Sequence, residues 1–280
     1  MNDAGVQDRL NAYGGLEDAD IPMAEAALDL AKWAEPHLNL DPYHRHLELL
    51  RADVRAYIGA DVDNPAIAIE AARQILARRY GYSYLEDTSE QAQRASLVRT
   101  IDRRRGGAET LAILYAHVLR DHVTGLDILD FSPRILLGVT DRGERRLIDP
   151  RSDGRTVSAR ELRQMLNTDG VNGQDLSPFG LKSLSKRAVL LRIQDEIKTH
   201  HLRHAAPEAA VQALEASILI APDTPRLWRE LGVLYARLDQ LLDATRALQR
   251  FLTLPGSDAE RYTASQLLQE LTHRIKKGDL

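Results

Sequence analysis

The sequence contains no cysteine among its 280 residues. That absence excludes disulfides, thiolate metal sites and any cysteine nucleophile. Positive charge is not in excess either: 37 Lys and Arg stand against 41 Asp and Glu, for a net charge of −4. Such a balance gives no electrostatic case for binding DNA, RNA or an anionic membrane. No apolar run approaches the roughly 18 residues that a membrane-spanning helix needs. The polar, acidic opening MNDAGVQDRLNAYGGLEDAD lacks the apolar core of a signal peptide, so a cytoplasmic location is expected. GxGxxG, P-loop and HExxH motifs are all missing. No cofactor and no metal are expected.

What is present is ample apolar material. A 44% hydrophobic and 28% charged composition describes a globular protein of one large domain or two ordinary ones. Residues 1–20 read as a loose lead-in. Helical spacing follows in MAEAALDLAKWAEPHL and in DPYHRHLELLRADVRAYI, with Asp41 as expected N-cap and Pro42 at the first helical position. NPAIAIEAARQILARRYG predicts a third helix, opened by Asn64 and stopped at Gly81. SEQAQRASLVRTIDRRR predicts one more short helix before a double glycine at 106–107. An amphipathic helix is then expected over about 108–121.

The texture changes at Gly125. LDILDF, RILLGVTD and RRLIDP are short runs rich in Ile, Leu and Val, predicting about three antiparallel strands with a hairpin at Asp141-Arg142-Gly143. Residues 151–182 are rich in Gly, Ser, Asn and Asp, with one short helix around SARELRQML, and form the expected boundary.

Beyond about residue 185 the chain is helical and repeats itself. Trp228, Leu231, Gly232, Tyr235, Ala244, Leu248 and Phe251 fall at the spacing of a tetratricopeptide repeat. One period of ~34 residues upstream, Ala210, Leu214 and Pro222 fill the second-helix and terminal positions. The units run over 191–224 and 225–258, and AERYTASQLLQELTHRIKKG is expected to cap the stack. Two repeats fall short of the three or more needed for independent stability, so the pair is expected to lean on the N-terminal domain.

Together these segments resemble a bacterial family of SirB-type proteins, in which a transglutaminase-like domain precedes a tetratricopeptide pair. Three stretches carry the resemblance: LVRTIDRRRGGAETLAILYAHVLR (97–120), LIDP (147–150) and SKRAVLLRIQDEIKTHHL. It implies an α+β fold. A mostly helical transglutaminase-like domain with papain-like core and small antiparallel sheet (21–182) would be followed by an all-α repeat region with capping helix (183–280). Active members of the wider superfamily carry a Cys at the start of the long helix, a His on the next strand and an Asp on the strand after. Matched to that pattern, the Cys position is Ala108, the His position falls on or beside Arg134, and the Asp position is Asp149. Arginine cannot act as a general base, so the resemblance implies a degenerate triad and a non-catalytic protein.

Glu109 and Thr110 complete the expected vestigial cleft with Arg134 and Asp149. Glu109 suits a helix N-terminus by charge alone. An enzyme using Thr110 or Ser132 as a rearranged nucleophile, a hydrolase or acyl-transferase, is the alternative class. In the repeat region the concave face is expected to include Arg192, Asp195, Arg203, Arg226, Arg229, Val233 and Arg237. That arginine-rich stripe predicts a protein or peptide partner of acidic character. SLSK at 183–186 matches Ser-x-x-Lys but has no Lys-Thr-Gly partner. His200 and His204 stand one turn apart without a third ligand. His44 and His46 read as surface or interhelix residues.

Overall fold

The computed structural model describes residues 4–59, 64–86, 91–131, 134–141, 143–169 and 181–277. The chain divides into two compact units, one of Glu17–Ile193 and one of Met1–Leu16 with Gln194–Leu280. It opens with helix α1 (Ala4–Gly15), which belongs to the second unit.

In the larger unit, α2 (Met23–Ala34) and α3 (Asp41–Ile58) follow the predicted periodicity. The expected cap at Asp41 is corrected: Asp41 is already helical, and its N–H donates to Asn39 Oδ1 at 3.0 Å. Asn64 does cap α4 (Pro65–Arg73), accepting from the Ala66 N–H at 3.0 Å. The third predicted helix changes pitch after Arg73. Residues Gln74–Arg79 form a π-turn closed by the Tyr80 N–H on the Ile75 carbonyl. A short strand β1 (Ser83–Tyr84) comes next. The single helix expected before the double glycine is two, α5 (Gln91–Ala95) and α6 (Leu97–Arg103). Ser96 breaks between them because its hydroxyl accepts from the Arg99 N–H and caps the second.

Strand β2 (Arg105–Gly106) pairs in parallel with β1 and leads into α7 (Ala108–Leu119). Periodicity suggests amphipathicity here, yet every α7 residue except Glu109 is buried. A helix apolar all round belongs in a core, and α2, α3, α4 and β4 pack around this one. The predicted strands are β3 (Gly125–Phe131), β4 (Arg134–Asp141) and β5 (Glu144–Asp149). Asp141 pairs with Glu144 across the hairpin, and Gly143 at φ +85° supplies the left-handed residue. Arg142 lies outside the described residues. Two short edge strands, β6 (Arg155–Val157) and β7 (Ser183–Leu184), extend the sheet to the antiparallel order β6-β5-β4-β3-β7. Between them runs α8 (Ala159–Asp169). The larger core closes under the sheet, where Leu129, Phe131, Leu136, Leu147 and Leu162 form one cluster.

The smaller unit is all helix: the end of α9 (Lys186–Arg203), α10 (Pro207–Ile220), α11 (Pro225–Arg237), α12 (Leu241–Thr253) and α13 (Asp258–Lys277). The repeat residues pack as the pattern predicts. A Cβ on Gly232 would stand 2.7 Å from Leu248 Cγ, so only glycine lets α11 and α12 approach. Trp228 Nε1 donates to the Pro222 carbonyl at 2.7 Å. The capping helix α13 buries Ala264 and Leu271 against Leu248 and Phe251. Among the described residues no helix is long and apolar enough to cross a membrane.

The loose lead-in expected at 1–20 is corrected over Ala4–Gly15. Val6 and Leu10, four apart and at most 1% exposed, form the apolar stripe by which α1 joins this unit. It packs on α10 so closely that a Cβ on Gly14 would come within 2.3 Å of the Leu219 carbonyl oxygen. Gly14→Val is therefore expected to lower stability by about 1–3 kcal/mol, read as a shift of the denaturant midpoint. Gly15→Val, with open space around it, should leave the midpoint in place.

Within α7, His117 is 4% exposed, and neither ring nitrogen has a hydrogen-bond partner among the described residues. Burial pushes its pKa below the ordinary 6.5. The unfolded chain then takes up a proton on this side chain that the folded one refuses. Stability is complete above about pH 6.5 and falls as pH drops below it, by at most about 1.4 kcal/mol per pH unit. Urea midpoints of His117→Phe between pH 7 and pH 5 should decline less steeply than those of the parent; equal slopes would refute this assignment.

Candidate functional site

The site begins with the double glycine. Arg104, at the end of α6, takes the left-handed conformation (φ +58°) without being glycine. Its side chain holds it there: the guanidinium donates to the Tyr82 hydroxyl and to His46 Nε2 at 2.7 Å, and lies 4.9 Å over the Tyr82 ring. Burial pushes the Tyr82 phenol up to about 12. Burial, with Arg104 alongside, brings His46 down to about 4. His46 is thus neutral and half-buried, where the sequence suggested a surface or interhelix residue. The alternation Tyr80, Tyr82, Tyr84 was the available signal for this cluster.

Gly106 follows in close quarters. A Cβ there would meet the Thr100 side chain at 2.5 Å and Thr110 Oγ1 at 2.6 Å. Those two hydroxyls bond each other at 3.0 Å across it. Gly107 donates its N–H to the Arg94 carbonyl at 2.8 Å. Both glycines thus serve packing at the helix start. Ala108, which the resemblance matched to the superfamily cysteine, is 6% exposed.

Thr110 is 0% exposed, and its hydroxyl lies within reach of the carbonyls of Arg94 (3.1 Å) and Gly107 (3.2 Å). It bonds no histidine, carboxylate or lysine among the described residues. The hydroxyl is spent on the turn. Ser132, the other expected nucleophile, lies outside the described residues. Glu109 is the partly exposed residue at the helix start.

Register places Leu137 opposite Ile148, so Asp149 stands diagonally across from Arg134, within side-chain reach. The two meet with Nη1 3.5 Å from Oδ2. Asp149 is fully buried, and its stronger bonds are local: it accepts from the Arg151 N–H at 2.9 Å and from Ser152 Oγ at 2.8 Å. It thereby caps the turn Pro150–Ser152. Helix α7 packs against both β4 and this turn. The carboxylate is engaged by an arginine and a turn, with no imidazole to orient. Arg151, unpredicted, lies 4.1 Å over the Tyr84 ring.

In the smaller unit a groove of about 540 Å³ runs between α9, α11 and α13. Lys198, Leu202, Arg229, Val233, Arg237 and Leu267 line it. The expected arginine stripe is largely neutralised from within. Arg226 bonds Asp195 and Glu230, both at 2.9 Å. Arg229 pairs with Glu260 at 2.9 Å, and Lys198 with Asp195 and Glu230. Arg237 has no ion-pair partner among the described residues, and Arg203 is exposed near the end of α9. The expectation for Arg192 is corrected: it belongs to the larger unit and bonds Asp130 on β3 at 2.5 Å. Sequence reasoning placed Asp195 on this face but missed its pairing with Arg226, the partners Glu230 and Glu260, and the contribution of α13, which it read only as a cap.

The other motifs resolve structurally. Lys186 Nζ donates to the carbonyls of Ala19 and Ile21 and makes no bond to Ser183. His204 bonds the His200 carbonyl through Nδ1, with the two rings 4.1 Å apart. Among the described residues no group of three or more His, Asp or Glu is placed to hold a metal ion.

Comparison with known proteins agrees with this division. The family model of the transglutaminase-like superfamily matches residues 41–195, and one for the tetratricopeptide repeat matches residues 197–269. A UPF0162 protein of Xylella fastidiosa strain Temecula1 is 23% identical over 252 residues, covering 87% of this chain and 88% of its own length. The UPF0162 protein of strain 9a5c is 23% identical over 256 residues with the same coverage. No solved structure matches.

Restoring the sulfur alone should not restore chemistry. Ala108→Cys is expected to show no hydrolysis or crosslinking of transglutaminase substrates above background, because no imidazole bonds Asp149. A measurable rate in that variant would mean that a base has been overlooked.

Proposed function

Because this chain belongs to the transglutaminase-like superfamily and carries a tetratricopeptide region behind that domain, we propose that it is a non-catalytic protein-interaction scaffold. Its groove between α9, α11 and α13 takes up a segment of another protein. The observation that carries this reading is the groove itself, about 540 Å³ with Leu202, Val233 and Leu267 on its walls. The state of the former site supports it: alanine stands at the nucleophile position, Thr110 is buried in hydrogen bonds to its own turn, and Asp149 is held by Arg134 and Ser152. The resemblance to SirB-type proteins supports it as well.

The partner that fits is less acidic than the arginine stripe suggests. With Arg226, Arg229 and Lys198 already compensated by Asp195, Glu230 and Glu260, Arg237 is, among the described residues that line the groove, the cation left to meet a carboxylate. The segment carries apolar anchors for the leucine and valine wall and one acidic residue near Arg237. Buried anchors supply most of such an interface's energy, and the single charge sets register.

Selection of a random peptide display library on the full chain tests this. A recurring motif of apolar residues plus one Asp or Glu is expected. Val233→Glu should lose it, and Arg237→Glu should invert the preference at the charged position. No enriched motif, or the same motif on Val233→Glu, would count against the groove.

A further inference from the structure

The larger unit holds a second cavity, of about 570 Å³, lined from the second half of α7 rather than from its Ala108 end. Its walls are mainly aliphatic: Ile21, Met23, Ile113, Leu126, Ile128 and Leu184. That size and lining suit a small molecule.

Three of its four charged lining residues are committed. Asp18 accepts from the N–H groups of Lys186 (2.8 Å) and Arg187 (2.9 Å) at the start of α9. Lys186 Nζ donates to the carbonyls of Ala19 (2.5 Å) and Ile21 (3.1 Å). Asp127 accepts from Arg145 at 2.6 Å. The fourth, Arg120, has a side chain 40% exposed that makes no hydrogen bond among the described residues and reaches carboxylate oxygens of Glu25 and Asp121 only at 3.9 Å. Asp121 is itself held by Arg51. Three residues before Arg120, and so on the same face of α7, His117 also lines the cavity. It is 4% exposed, and both its nitrogens lack partners among the described residues.

Buried polar groups in native proteins nearly always have partners. A guanidinium is matched best by a carboxylate, which it can bond in bidentate fashion. We propose that this cavity binds a small amphiphilic anion, an aliphatic chain ending in a carboxylate, with the carboxylate at Arg120 and His117 and the chain against Ile113, Leu126 and Ile128. The groups facing His117 are Glu25 from α2, Glu48 and Arg51 from α3, and Arg120 on its own helix. Glu25 opposes a second anion nearby, and a proton taken up by His117 on binding offsets that opposition.

The test is titration of the full chain with octanoate, octanol and acetate, followed by amide chemical shifts. Octanoate is expected to bind saturably, with octanol and acetate each at least tenfold weaker. Arg120→Gln should weaken octanoate at least tenfold and leave octanol unchanged, while Leu126→Trp, which fills the cavity, should abolish both. Thermal unfolding checks that each variant is folded. Should Leu126→Trp fail to fold, the shifts induced in the parent decide: they must centre on Ile113, Leu126 and Ile128. Absence of saturation, octanol as tight as octanoate, Arg120→Gln binding as well as the parent, or shifts centred elsewhere each overturn the proposal.

Discussion

Thr100 and Thr110 meet across the bare Cα of Gly106, and the larger unit hangs on that crossing. It fixes the angle at which the chain leaves α6, passes the short parallel pair and enters α7. Because α7 is buried on nearly every side, an error in its launch would displace the packing of α2, α3, α4 and the sheet together. Glycine at 106 is thus a steric requirement of the core.

The start of α7 and the turn after β5 are held by local bonds. Alanine is small enough to sit at the buried helix start without strain. A buried carboxylate without partners would be costly, but Asp149 caps its own turn and takes an arginine from the neighbouring strand. Asp149 is thus a structural carboxylate, tied to its own turn and to the neighbouring strand.

Elements with long, local signals were legible in the sequence: α2, α3, α7, the hairpin of β4 and β5, and the repeat with its Trp228, Gly232 and Leu248. The pairing of Arg134 with Asp149 rests on strand register. What escaped was non-local. Strands β6 and β7 are three and two residues long and exist only because a sheet edge is present to receive them. The change of pitch after Arg73 leaves no mark in composition. The arginines of the groove looked free because Asp195 and Glu260 are about thirty residues from Arg226 and Arg229; only Glu230, one helical turn after Arg226, was a partner that local spacing offered. Helix α1 was hidden by polar surroundings, its apolar stripe reduced to Val6 and Leu10.

That first helix has a consequence for synthesis. Its partner α10 begins at Pro207, so at roughly 5–20 residues per second α1 waits on the order of 10–40 s on the ribosome for the surface it will cover. All of Glu17–Ile193 is translated in that interval. The larger unit can therefore fold as an insertion while the smaller one is still open, with α1 tethered at its entrance. Closure of the smaller unit is then a late, long-range event, and the missing side chain of Gly14 leaves room for α1 to seat on α10 when it comes.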